Sequence, residues 1–150
     1  LYTKVGDFLT SGGQHTVTYM EDDSLESGQY YLYMFDNNFG YSKTRKDYDW
    51  KVNEGIQTSI TEGTTSYYYQ YLVDENEGTY TLVHSFEVPF SAYVSSAQNL
   101  GDHIVVDSGI AGLLSIYDTD GNLEQQFSIK KNDRFIYRIY YYDYKGYYFS

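Results

Sequence analysis

The sequence predicts an all-β protein, and three observations support this class. Short runs of alternating apolar and polar residues recur along the 150 residues, whereas the periodicity of helices is scarce. Aromatic residues make up 20% of the chain, with 21 tyrosines and 8 phenylalanines, and these residue types favour strands. One proline and 41% hydrophobic residues indicate a single globular domain that can bury a sizeable core.

Charge and composition exclude several classes of function. The formal net charge of −11 disfavours binding to nucleic acid or to anionic membranes, because phosphates attract Lys and Arg. The chain has no cysteine, and no two histidines stand at metal-ligand spacing, so we predict no metal site. It also lacks the glycine-rich nucleotide loops, the Gly-x-Ser-x-Gly elbow and any apolar run of about 20 residues that could span a membrane. We therefore predict no cofactor.

The first half of the chain contains four predicted strands, which follow a lead-in over residues 1–13. The alternating runs cover residues 14–21, 29–36, 64–73 and 79–88. Polar turns at residues 22–28 and 74–78 close two hairpins, and a polar stretch over residues 37–63 separates these hairpins.

Four more strands are predicted at residues 92–98, 104–107, 113–117 and 123–129. The matching turn residues Asp74 and Asp118 lie 44 positions apart, within the roughly 40–50 residues of a β-propeller blade. Gly28 and Gly101 lie 73 positions apart, and the excess of 29 is about the length of residues 37–63. We therefore interpret residues 14–90 as one blade with an insertion at 37–63, and residues 91–129 as a second. Residues 130–150 then form a Tyr-rich terminal strand.

Two four-stranded antiparallel blades are too few to close a ring, because propellers typically have 4–8 blades. The chain also starts at Leu1 rather than at a methionine. We therefore expect a fragment whose exposed blade faces meet the remaining propeller blades or cause self-association.

His15 has the most suggestive setting of the three histidines. It stands where a glycine-rich turn becomes a strand. Blade topology places that point on the same face as the insertion after Asp36 and the crossing at residues 89–91, at the mouth of the central channel. A neutral imidazole there could act as nucleophile or general base, and the alternative is a turn residue that only forms hydrogen bonds.

The insertion carries a basic cluster in an otherwise acidic chain, made up of Lys43, Arg45 and Lys46. Arg45 near His15 could hold an anion through two parallel hydrogen bonds. The alternative is a solvated loop with no ligand.

Other motifs favour structural interpretations. His84 lies within a predicted outer strand and His103 follows a hairpin turn, so both are expected to be structural. Residues 118–122 share part of a calcium-loop pattern but fit a hairpin turn better. The tyrosines at positions 140–142, 144, 147 and 148 could stack on aromatic substrates or form the surface of a strand.

Four motifs taken together point to a known family. They are Gly-Gln-His-Thr at 13–16, Tyr-Met-Phe-Asp-Asn-Asn at 33–38, Pro-Phe-Ser-Ala-Tyr-Val-Ser-Ser at 89–96 and Tyr-Arg-Ile-Tyr at 137–140. In these motifs the chain resembles the C-terminal part of bacterial aryl-sulfate sulfotransferases.

The resemblance implies a six-bladed propeller that moves a sulfuryl group from a phenolic sulfate to a phenol, without a nucleotide donor. It implies a ping-pong route through a sulfated histidine, and His15 matches that histidine. Asn37 falls in the Phe-Asp-Asn motif and is a candidate substrate-binding residue. The family's usual arginine after Asp-Asn-Gly is displaced here to Arg45, the other candidate.

The resemblance places the family's remaining sulfate-binding groups upstream, so the 150 residues alone are expected to be inactive. Family members are commonly exported, which implies a periplasmic or cell-surface location. The competing hypothesis is a non-catalytic propeller segment that serves as a binding module.

Overall fold

The computed structural model describes residues 1–142, and these residues form two β-sheets. The predicted all-β class is confirmed, since one 3₁₀ turn at Trp50–Val52 is the sole helical element within residues 1–142. The first sheet contains five strands and the second contains four.

The first sheet has the strand order β1-β5-β4-β3-β2. Its strands are β1 (Thr3–Lys4), β2 (Gln14–Met20), β3 (Gln29–Asp36), β4 (Ser66–Asp74) and β5 (Thr79–Val88). Neighbours are antiparallel except that β1 runs parallel to β5.

The prediction of four antiparallel strands in this sheet is wrong by one strand, because the lead-in contributes β1. Thr3 N donates to Gly78 O at 2.8 Å, and Val5 N donates to Tyr80 O at 2.9 Å. These bonds pair β1 with the edge of the sheet at β5. Without β1, the backbone groups of that edge would be unpaired.

The second sheet has the predicted four antiparallel strands in sequential order. They are β6 (Ser96–Asn99), β7 (Ile104–Ser108), β8 (Leu113–Tyr117) and β9 (Leu123–Ser128). β6 begins four residues later than the sequence predicts. Val94 and Ser95 have φ angles of +58° and +91°, so this backbone cannot join a regular strand ladder.

The two sheets pack face to face through one apolar core. Phe35 and Tyr68, which are direct cross-strand partners on β3 and β4, are fully buried in it. The second sheet contributes alternate residues of β7, Ile104 and Val106, as expected for one face of a pleated strand. A smaller cluster with Met34, Tyr69 and Tyr71 covers the opposite face of the first sheet.

The tail forms no strand within residues 130–142, although it runs alongside β6. Its backbone bonds to side chains instead of to the β6 backbone. Ile139 N donates to Ser96 Oγ at 3.1 Å, and Tyr141 N donates to Gln98 Oε1 at 2.7 Å. The rest of the predicted terminal strand, with tyrosines at 144, 147 and 148, lies outside the described residues.

Asp36 ends β3 with only 1% of its surface exposed. Its Oδ2 accepts from Gly12 N at 3.2 Å, and burial raises the pKa of the carboxyl to about 6. Because the folded pKa exceeds the unfolded one, the contribution of this carboxyl to stability is greatest below pH 4. That contribution falls as pH rises to about 6, by about 3 kcal/mol in total.

We expect Asp36→Asn to remove the share of the pH dependence that Asp36 contributes, because the amide is neutral and its oxygen can still accept from Gly12. Burial also raises the pKa of Asp107, to about 7, so a smaller slope of the same sign should remain in the variant. In urea unfolding, the free energy of unfolding of the variant should exceed that of the wild type at pH 7.5. The exposed Asp23→Asn should behave as the wild type. A wild-type slope between pH 4 and 6 in Asp36→Asn would contradict this assignment.

Candidate functional site

A cavity of about 450 Å³ opens where three segments meet. These segments are the start of β2, the chain just after β3 and the crossing from β5 to β6, which the predicted topology places on one face. The lining is mostly apolar or aromatic: Gly13, Gln14, His15, Asn37, Phe39, Tyr41, Ile60, Ala92, Tyr93 and Val94. His15 and Asn37 therefore share one cavity.

The hydrogen bonds of His15 define its tautomer. His15 Nδ1 lies 2.7 Å from Ser95 O and 3.1 Å from Thr16 Oγ1. Because a carbonyl oxygen only accepts, Nδ1 carries the hydrogen, and a neutral ring then keeps its lone pair on Nε2. His15 Nε2 has no hydrogen-bond partner among residues 1–142.

Burial lowers the pKa of His15, and the positive charge of Arg138 lowers it further. The hydrogen bond to Ser95 acts in the opposite direction but is the smaller effect. The ring is therefore neutral at pH 7, with its nucleophilic nitrogen uncommitted.

The backbone around His15 is strained. Thr16, beside a bulge in β2, has a φ of +55°, which is rare for a β-branched residue. Asn38, Val94 and Ser95 also have positive φ, and all four residues lie in the segments that form the cavity. Within residues 1–142 the one other non-glycine residue of this kind is Asn132. Such clusters of strain mark functional sites more often than ordinary loops.

Asn37 holds the crossing in place. Asn37 is 4% exposed, and its Nδ2 donates to Ser91 O at 2.6 Å and to Val94 O at 3.0 Å. Both amide hydrogens are thereby used, so an oxygen of a ligand cannot accept from Asn37 unless the crossing moves. The contacts favour a positioning role, and the substrate-binding role stays a prediction.

Three fully buried serines extend this scaffold. Ser66 Oγ donates to Asn37 O at 3.1 Å and accepts from Ser91 N at 3.0 Å. Ser95 Oγ donates to Ser91 Oγ at 2.8 Å and accepts from Gly109 N at 3.1 Å. Sequence reasoning did not identify this network, and its one signal was a serine-rich crossing between apolar strands.

The tail brings two further residues to His15. The Tyr137 ring meets the imidazole edge-on, with 5.6 Å between ring centroids. Arg138 Cζ lies 5.0 Å from the centroid of the Tyr137 ring. The sequence signal for both residues is the Tyr-Arg-Ile-Tyr motif at 137–140.

A family model described as "Arylsulfotransferase (ASST)" matches residues 1–145. The chain belongs to the arylsulfotransferase family. The predicted resemblance is thus confirmed, and with it the general assignment to arylsulfotransferase activity. Comparisons with curated proteins and with solved structures returned no match.

The third predicted site residue, Arg45, lies outside the lining of the His15 cavity. It lines a neighbouring cleft of about 410 Å³ together with Lys46, Lys51, Tyr48 and Trp50. Tyr41 lines both the His15 cavity and this cleft. The structure therefore separates Arg45 from His15, and its part in substrate binding stays a prediction.

The remaining histidines are not part of the lining of the His15 cavity. His84 packs against Tyr68 and Phe86 with centroid distances of 5.8 and 5.4 Å. His103 Nδ1 lies 2.9 Å from Glu124 Oε2. These contacts fit the predicted structural roles.

Asp118 closes a hairpin turn, as predicted. Its Oδ1 accepts from Asp120 N at 2.9 Å and from Asn122 N at 2.8 Å. Within residues 1–142 no group of three potential ligands could hold a metal ion, and no helix is long and apolar enough to cross a membrane.

Proposed function

We propose that His15 is the sulfate-accepting residue of an aryl-sulfate sulfotransferase that works by a ping-pong route. The observation that carries this proposal is the bond from His15 Nδ1–H to Ser95 O, since it leaves the Nε2 lone pair free. The ring lines an apolar cavity. A neutral, oriented imidazole in such a place can attack an electrophilic centre.

The proposed first step transfers the sulfuryl group to the protein. The Nε2 lone pair forms an N–S bond while the S–O bond to the aryl oxygen breaks, and its electron pair leaves on the phenolate. The phenolate then takes a proton from water. The Nδ1–H bond to Ser95 stabilises the positive charge that develops on the sulfated ring.

The second step reverses the first with another phenol. The acceptor loses its proton to solvent, its oxygen forms the new S–O bond, and the N–S electron pair returns to Nε2. One covalent intermediate thus divides a difficult transfer into two easier ones.

The cavity suits an aromatic substrate. Phe39, Tyr41 and Tyr93 supply aromatic surface, and about 450 Å³ falls in the range of small-molecule sites. We assign to Arg45, in the adjoining cleft that shares Tyr41, the proposed role of attracting the anionic ester.

The larger setting is part of the same proposal. We propose that the two sheets are blades of a six-bladed propeller, that the other blades supply further sulfate-binding groups, and that the protein acts after export. The face-to-face packing of two sheets of four and five strands is compatible with such blades.

The proposal is tested on the protein at its full natural length. We expect that incubation with 4-nitrophenyl sulfate and no acceptor adds one sulfuryl group to the peptide that contains His15, as read by mass spectrometry. A second phenol should then remove it. The peptides with His84 and His103 are internal controls and should stay unmodified.

Turnover without label on His15 would overturn the proposed intermediate. Binding of the aryl sulfate without turnover would favour the competing interpretation, a non-catalytic binding module. That alternative draws on the absence of Arg45 from the cavity lining and on the committed amide hydrogens of Asn37.

A further inference from the structure

The tail carries a cation to the edge of the candidate site. We propose that Arg138 is a substrate-binding residue whose guanidinium holds the sulfuryl oxygens of the aryl sulfate at His15. This inference rests on the proposed function, because it assumes that the donor's sulfur reaches His15.

The backbone of Ser95 forms hydrogen bonds to both His15 and the tail. Its carbonyl oxygen accepts from His15 Nδ1 at 2.7 Å, and its N–H donates to Tyr137 O at 3.1 Å. Ser96 Oγ holds the next turn of the tail through both backbone groups of Ile139, at 3.0 and 3.1 Å. The tail is therefore anchored on either side of Arg138.

Two consecutive ring contacts connect the imidazole to the guanidinium. The Tyr137 ring lies edge-on to His15 at 5.6 Å, and Arg138 Cζ lies 5.0 Å from that ring's centroid. Stacking on a ring leaves the guanidinium N–H groups free, and their planar fork matches two oxygens of a sulfate.

The guanidinium of Arg138 is available to bind an anion. Within residues 1–142 no carboxylate forms an ion pair with it, although the chain carries a net charge of −11. Its side chain is exposed. Its positive charge also lowers the pKa of His15, although less than burial does. Arg138 lies beside the cavity and not in its lining, so an anion that reaches His15 from this side would meet a cation next to the nucleophile.

Three single-site variants of the full-length protein test the inference: Arg138→Ala, Arg138→Lys and the control Arg134→Ala, in the same exposed tail. With 4-nitrophenyl sulfate, we expect Arg138→Ala to lower kcat/KM by roughly tenfold to a hundredfold. Arg138→Lys should recover part of the loss, and Arg134→Ala should stay within about twofold of the wild type.

A second readout does not need turnover. We expect inorganic sulfate to raise the pKa of His15 in the wild type, measured by NMR titration, because a bound anion favours the imidazolium. Sulfate should leave the pKa of His15 in Arg138→Ala almost unchanged, whereas without sulfate this variant should have a higher pKa than the wild type.

The two proposals fail in different ways. A kcat/KM for Arg138→Ala equal to that of Arg134→Ala, or an equal response of both to sulfate, overturns the role of Arg138 even if His15 is sulfated. A sulfate response that depends on Arg138, in a protein that never labels His15, supports the anion site and overturns the proposed intermediate. Urea unfolding of each variant verifies that the fold is kept.

Discussion

Replacing His15 by asparagine is expected to lower kcat/KM for sulfate transfer between phenols by roughly a thousandfold or more. The Asn side chain can still donate a hydrogen bond towards Ser95 O, as Nδ1 does now. It has no counterpart of the Nε2 lone pair. The substitution thus removes the nucleophile while it preserves the contact that anchors the crossing.

The pH dependence of kcat/KM in the wild type tests the role of His15 independently. Because burial lowers the pKa of His15 below 6.5, the neutral ring persists into mildly acidic solution. We expect kcat/KM to be constant above pH 6.5. It should fall as the pH drops through the lowered pKa of His15, because protonation removes the Nε2 lone pair.

Two variants control for the loss of any histidine. His84→Asn and His103→Asn change residues that pack on rings or pair with a carboxylate, so turnover should stay near that of the wild type. Substantial sulfate transfer by His15→Asn would exclude His15 as the sulfate acceptor.

Asn37→Asp is expected to have the second-largest effect, on both stability and activity. The new carboxylate would replace a donor that lies 2.6 Å from Ser91 O and 3.0 Å from Val94 O, inside a buried site. Three acceptors would then face one another without a hydrogen. We expect a loss of about 3 kcal/mol or more in the free energy of unfolding at pH 7.5.

Activity should fall with stability, because a displaced crossing moves Ser95 away from His15. The matched control is Asn76→Asp, since Asn76 also donates to a carbonyl, Ser27 O at 2.8 Å, but at an exposed turn. We expect a change below about 1 kcal/mol there. If Asn37→Asp kept full stability and lost only activity, Asn37 would contact the substrate directly instead of positioning the crossing.

The strands that the sequence predicts best are those with strong local signals. The predictions for β3, β5 and β8 match the structure at both ends. Each has alternating residues between polar or glycine turns, and both features act over a few residues. The meeting of His15, Asn37 and the crossing also followed from the order of the hairpins.

Three other contacts or separations between distant segments were not predicted. The parallel pairing of Thr3–Lys4 with β5 satisfies an edge that no local pattern reveals. The delayed start of β6 depends on left-handed residues that Asn37 and the buried serines hold in place. The insertion keeps Arg45 in a separate cleft, although blade topology predicts that the insertion and His15 lie on the same face.

The sequence by itself determined the all-β class, the period of the hairpins and His15 as the residue to examine. Each of these depends on residue type and spacing along the chain. The tertiary structure decided which nitrogen of His15 is free and which cation stands beside it. Those properties depend on Ser95 and Arg138, which are far from His15 in sequence and come near it only in the folded protein.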